Sequence, residues 1–177
     1  MMHTSSYCRR CRRAASLVEV AMASLLVGVL LIGALNSVGA KLRHQSKLAD
    51  RQQAHRLAEQ LLAEVLEHRY ADPDETPVFG TETSETGGTR SPYDDVDDFD
   101  GWDQTPPVDR DGVTLPNSTG WRRTVDVAYV NANDMTTTSV TDQGLKRITV
   151  SIYHDGQLIL SRVGVRSSAW EEANATY

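Results

Sequence analysis

Six aspartates fall within ten residues, Asp94, Asp95, Asp97, Asp98, Asp100 and Asp103, interleaved with Val96, Phe99, Gly101 and Trp102. Carboxylate oxygens at this density are the ligands that Ca²⁺ favours. The register of an EF-hand loop is missing, because placing Gly101 at its sixth position puts Val96 first and Pro107 twelfth, and neither offers a carboxylate. An acidic, solvated loop pinned by Tyr93, Phe99 and Trp102 accounts for the same residues without a metal, and is preferred. The two cysteines, Cys8 and Cys11, form a Cys-x-x-Cys pair, which elsewhere serves redox chemistry or supplies half a zinc site. No second pair accompanies them, and Arg9, Arg10, Arg12 and Arg13 would repel a cation, so neither use is expected. His44, His55 and His68 do not share one helical face and are expected on the surface, and His154 adjoins a turn. With no Gly-rich phosphate loop, no His-Glu-x-x-His and no cysteine beyond residue 11, the chain is expected not to be an enzyme and to need no metal or cofactor.

One charged residue is harder to dismiss. Glu19 stands at the head of an apolar run in which no charge occurs from Val20 to Leu35, and apolar character continues weakly to Ala40. About 20 helical residues cross a hydrocarbon layer of about 30 Å, so this run is just long enough to span. A carboxylate at the edge of a spanning helix costs about 3 kcal/mol unless it is paired or reaches the interface. The four arginines before the run hold that end in the cytoplasm and leave the rest of the chain outside.

The elements beyond must then position an extracytoplasmic part. Ala54, Leu57, Ala58, Leu61, Leu62, Val65 and Leu66 recur at steps of three and four, the mark of one apolar helical face. Arg51, Gln52, His55, Arg56, Glu59, Gln60 and Glu64 lie between them and form the expected solvated side. Nothing interrupts the helix until Pro73, so one helix is predicted from about residue 16 to about residue 70, spanning first and amphipathic afterwards. Residues 72–120 lack periodicity and are rich in Asp, Gly, Pro, Ser and Thr, which predicts an irregular acidic region. Strand alternation follows in Thr124–Val130, with Val125, Val127 and Tyr129 on one face, and in Lys146–Tyr153, with Ile148, Val150 and Ile152 together. His154-Asp155-Gly156-Gln157 marks a hairpin whose return strand is Leu158 to Val165. The fold class is therefore α+β: a long N-terminal helix with a small C-terminal antiparallel sheet over residues 121–166, then a polar tail, 167–177, without assignment.

The stretch Ala14-Ala15-Ser16-Leu17-Val18-Glu19-Val20, behind a basic leader and ahead of an apolar helix, resembles the processing signal of type IV prepilins and type II secretion pseudopilins. In that family a short basic leader is cut just before the helix, and the fifth residue of the mature chain is glutamate. The resemblance implies a cut between Ala14 and Ala15, a leader of residues 1–14, and N-methylation of Ala15. Ser16-Leu17-Val18-Glu19-Val20 follows the family's Thr-Leu-Ile-Glu-Val, whereas Ala14 stands for the usual Gly before the cut and Ala15 for the usual Phe after it. It further implies that Glu19 pairs with the N-terminal amine of a neighbouring subunit during assembly. Residues 15–40 would form the transmembrane half of the helix and 41–71 its amphipathic half. The implied partners are prepilin peptidase, other pilin or pseudopilin subunits and inner-membrane lipid. The segment Ala58–Glu64 resembles the post-membrane region of minor pilins and minor pseudopilins, and the acidic insertion is unlike a major adhesive pilin.

Net charge bounds the partners. The chain carries −6 overall and −10 once its first 14 residues are gone, so nucleic acid is not expected. Two other organisations compete with the pilin-like one. Val38-Gly39-Ala40 before Lys41 suits ordinary signal peptidase and would release a soluble secreted chain, and a plain single-pass anchor could present the acidic region as a binding surface.

Overall fold

A computed structural model of the protein describes residues 16–72 and 78–174. It is an α+β chain whose first helix, α1 (Leu17–Glu67), precedes an antiparallel sheet of five strands. The chain divides after Ser46 into two compact units.

In the first unit, Leu17–Gly39 is a 23-residue stretch long and apolar enough to cross a membrane, and its large apolar side chains are exposed. Its two serines satisfy themselves locally. The hydroxyls of Ser24 and Ser37 donate to the carbonyls of Val20 at 2.8 Å and Gly33 at 3.0 Å, one turn back. A hydroxyl bonded to its own helix carries no unmet hydrogen-bond demand into lipid.

The second unit, from Lys47, is built on the face that the periodicity predicts. Ala54, Leu57, Ala58, Leu61 and Val65 are buried, with Leu62 and Leu66 packed at the margin of the same core. Against them stand Val125 and Val127 of β2 (Trp121–Asn131) and Ile148, Val150 and Ile152 of β4 (Leu145–His154). β2 and β4 pair from Trp121↔His154 to Tyr129↔Lys146, and β4 pairs in turn with β5 (Gln157–Ser167). The β4–β5 turn is made by Asp155 (φ 48°) and Gly156 (φ 79°), both left-handed, the pattern that Asp-Gly adopts in a two-residue hairpin. At Gly164 of β5 the helix comes so close that an added Cβ would lie 2.9 Å from Leu62 Cδ1.

Several elements go beyond the sequence expectations. Two residues, Asp103–Gln104 (β1), add to β2, and β3 (Asp134–Thr138) pairs with its other end. The alternation in β2 shifts near its end, so Val130 is fully buried while Tyr129 is half-buried and meets Phe79 edge-on at 4.8 Å. The tail without assignment begins with a short helix, α2 (Ser168–Asn174). The aspartate run is not wholly solvated: the 3₁₀ turn Asp97–Phe99 drives Val96 and Phe99 into the core, and Tyr93 and Trp102 pack against it. The aromatic pins act as predicted, but Asp95, Asp97 and Asp98 become buried with them, while Asp94, Asp100 and Asp103 stay exposed.

Candidate functional site

The sequence singles out Ala14, Ala15 and Glu19. Ala14 and Ala15, like Cys8 and Cys11, lie outside the described residues. Glu19 lies in the first turn of α1, exposed, at the head of the apolar stretch. A carboxylate in a first turn gains from the partial positive charge of the unpaired backbone N–H groups, which explains a Glu here without any partner. Among the described residues, however, no cation meets it, and the 20 residues that follow are apolar or small.

A denser constellation lies in the second unit, where strand alternation carries charge into the core. On β4, Lys146 shares the inward face with Ile148, Val150 and Ile152 and is only 2% exposed. Its ammonium donates to the carbonyl of Tyr70 and to Asp97 Oδ1, and lies 4.0 Å from Asp95 Oδ2. The rings of Tyr70 and Tyr129 flank it, with centroids 4.5 and 5.8 Å from Nζ. The 3₁₀ turn holds both aspartates in place: Asp95 Oδ1 accepts the N–H groups of Asp97 at 2.8 Å and Asp98 at 3.3 Å. Burial pushes the Asp95 carboxyl up to about 8, aided by its side-chain hydrogen bond with Asp97 and partly opposed by Lys146. A buried carboxyl beside a second carboxylate keeps its proton, because two negative charges cannot share one ammonium in a dry site.

On β2, Arg123 is the corresponding inward charge. Its guanidinium donates to the carbonyls of Leu57 and Val108, and desolvation, followed by the nearby Arg90 charge, lowers it to about 10. Arg90 stacks over Trp102, 4.4 Å from the ring centroid, and forms a two-pronged pair with Glu64, Nε to Oε1 at 2.9 Å and Nη2 to Oε2 at 3.0 Å. Glu64 therefore does not belong to the solvated side of the helix.

The histidines also differ from their expected places. His68 is buried, its Nδ1 2.8 Å from the Glu64 carbonyl and its ring edge-on to Phe99 at 5.0 Å. His55 is half-buried beside Arg162, and His154 stacks flat on Trp121 at 4.2 Å. His44 lies on α1, with its side chain outside the described set.

Among the described residues, the group best suited to a hard cation is Glu82, Glu85 and Asp98, whose oxygens come within 4.8 Å of one another. Those oxygens already have work: Asp98 Oδ2 accepts the N–H groups of Asp94 and Asp95, each at 3.0 Å, and Glu85 Oε2 accepts that of Glu82 at 3.1 Å. Burial, then hydrogen bonds with Asp98 and Glu82, raises Glu85 to about 8. A proton held between carboxyls thus satisfies the cluster. Glu82 and Glu85 lie too far upstream of the aspartate run for the sequence to associate them. The alternation of β4 and β2 carries Lys146 and Arg123 onto the buried face, a place that their charge does not suggest. No family model, curated protein or solved structure matches the chain.

Proposed function

We propose that the chain is a pilin-like subunit, a minor pilin or minor pseudopilin, that is cut between Ala14 and Ala15 by prepilin peptidase and assembled through its N-terminal helix into a pilus or secretion pseudopilus. The observation that carries this reading is Glu19, a carboxylate that meets no cation among the described residues, in the first turn of an apolar, exposed helix that belongs to an α+β chain. Cutting before Ala15 would create an α-amine four residues from that carboxylate. In a medium of low dielectric each charge alone is costly and the pair is favoured, so a subunit carrying both gains from docking its Glu19 against the amine of a neighbour. The uninterrupted course of α1 through Lys41 supports a retained anchor over release after Ala40.

The mature N-terminus tests the proposal. Mass spectrometry of the chain from membranes of its host should find Ala15 first, bearing an N-methyl group. A chain beginning at Lys41 would be a secreted protein, and one retaining Met1 a plain anchor, and either result would overturn the assignment.

A further inference from the structure

Lys146, Asp97 and Asp95 form more than an ion pair. Three ionisable groups, exposed by 2%, 2% and 4%, converge between two tyrosine rings, with two carboxyls for one amine. An isolated buried ion pair repays its desolvation poorly, and replacing it by a neutral group of similar shape is often stabilising. Here the neutral alternative is reachable from the atoms in place. We propose that Lys146 and Asp97 join through an amide between Nζ and Cγ, formed within the folded chain with Asp95 as the acid–base group.

The geometry supplies each part of the step. Lys146 Nζ is hydrogen-bonded to Asp97 Oδ1, so amine and carboxyl carbon are in contact before reaction. Holding two reacting groups together in this way replaces an encounter by a local event. Proton transfer within the pair gives a neutral amine and a neutral carboxyl. Asp95, retaining its own proton and hydrogen-bonded to the Asp97 side chain, polarises the Asp97 carbonyl. The Nζ lone pair adds to Cγ, forming the C–N bond. Asp95 gives its proton to the departing hydroxyl, the C–O bond breaks and water leaves, and Asp95 regains a proton from Nζ. One amine and one carboxyl become one amide and one water, with no oxidant, reductant or activating nucleotide. The remaining N–H still faces the Tyr70 carbonyl that the ammonium contacts. The tyrosine rings exclude the water that would oppose the reaction.

The link would tie the 3₁₀ turn after the helix to the central strand of the sheet, 49 residues further along the chain. No cysteine follows Cys11, so this would be the covalent staple of the extracytoplasmic part. It stands apart from the pilin-like assignment, since an anchored binding protein would gain equally.

Tryptic peptides of the full chain, extracted from membranes in detergent, test the bond directly. An amide at Lys146 blocks cleavage there, so Thr124–Arg147 should appear joined to Ser91–Arg110, lighter by one water than the two together. Linear Ser91–Arg110 together with a peptide ending at Lys146 as the dominant products would overturn the proposal. Lys146→Arg keeps the charge and should abolish the branched peptide. Asp95→Asn keeps the shape but carries no exchangeable acid proton, and should slow linkage by about 100-fold; linkage as complete as in the unaltered chain would overturn the role of Asp95. The unaltered chain alone decides the existence of the bond, whether or not either variant folds.

Discussion

Arg90 closes on Glu64 through two parallel hydrogen bonds of 2.9 and 3.0 Å, and by that grip the irregular region after the helix is fastened to α1. Arg90 is 1% exposed and its Nη1 has no hydrogen-bond partner among the described residues, so Glu64 supplies the opposite charge in its ion pair. Removing one member of a buried pair costs about 3–5 kcal/mol because the other remains uncompensated. Glu64→Ala should therefore destabilise the second unit by about that amount in urea unfolding of the detergent-solubilised chain, and Glu64→Gln, which keeps one acceptor, by less. A Glu64→Ala loss below about 1 kcal/mol would mean that water reaches Arg90.

Gly164 makes a second contact between helix and sheet that tolerates little. A Cβ there meets Leu62 Cδ1 at 2.9 Å, closer than side chains pack. Gly164→Val should cost about 1–3 kcal/mol through overpacking. Pairing it with Leu62→Ala, which opens the space, should recover part of that loss. Strict additivity of the two changes would show that they do not touch.

Protonation of the buried carboxyls sets a pH trend. Glu85 is raised from 4.5 to about 8, and Asp95 from 3.8 to about 8, chiefly by burial. The folded state thus binds protons more tightly than the unfolded state. The stabilisation is fully present below about pH 4 to 4.5 and is lost as pH rises through about 8. The thermal midpoint near pH 5.5 should exceed that near pH 9 by about 5 °C or more. Glu85 pairs with Asp98 and Glu82 and not with Lys146, so the trend does not depend on the cross-link. A midpoint that climbs from pH 5.5 to 9 would contradict it.

Glu19→Ala should leave membrane insertion intact, since it only makes a stretch already long and apolar enough to span more apolar. Incorporation into filaments should fall about tenfold or more, the loss expected if one ion pair in lipid is removed. Undiminished incorporation, scored by shearing and immunoblotting, would remove the assembly role.

The long helix, its buried face and the final hairpin were legible because each rests on local periodicity and turn chemistry: Leu57, Leu61 and Val65 repeat at helical steps, and Asp155-Gly156 fixes its own turn. The buried charges were not. Strand alternation in Lys146–Tyr153 puts Lys146 on the face of Ile148, yet composition assigns a lysine to solvent, and only the arrival of Asp97 from 49 residues away makes its burial affordable. Asp95, Asp97 and Asp98 similarly read as a soluble run because their partners are remote in sequence. β3 was hidden for a different reason, since Asp134–Thr138 is exposed throughout and carries no apolar signal.

The inward place of Lys146 has a consequence for how the sheet finds its alignment. Side chains on a strand alternate with a period of two, so a slip of β4 by one residue would withdraw Ile148, Val150 and Ile152 from the core and offer Arg147, Thr149 and Ser151 instead. A slip by two would restore apolar residues to the core, and apolar packing alone discriminates poorly against it. It would, however, move the ammonium about two strand residues away from Asp97 and the Tyr70 carbonyl, leaving a buried amine with nothing to bind. Lys146 thus acts as a keying pin: among the positions that hydrophobicity permits, it admits one.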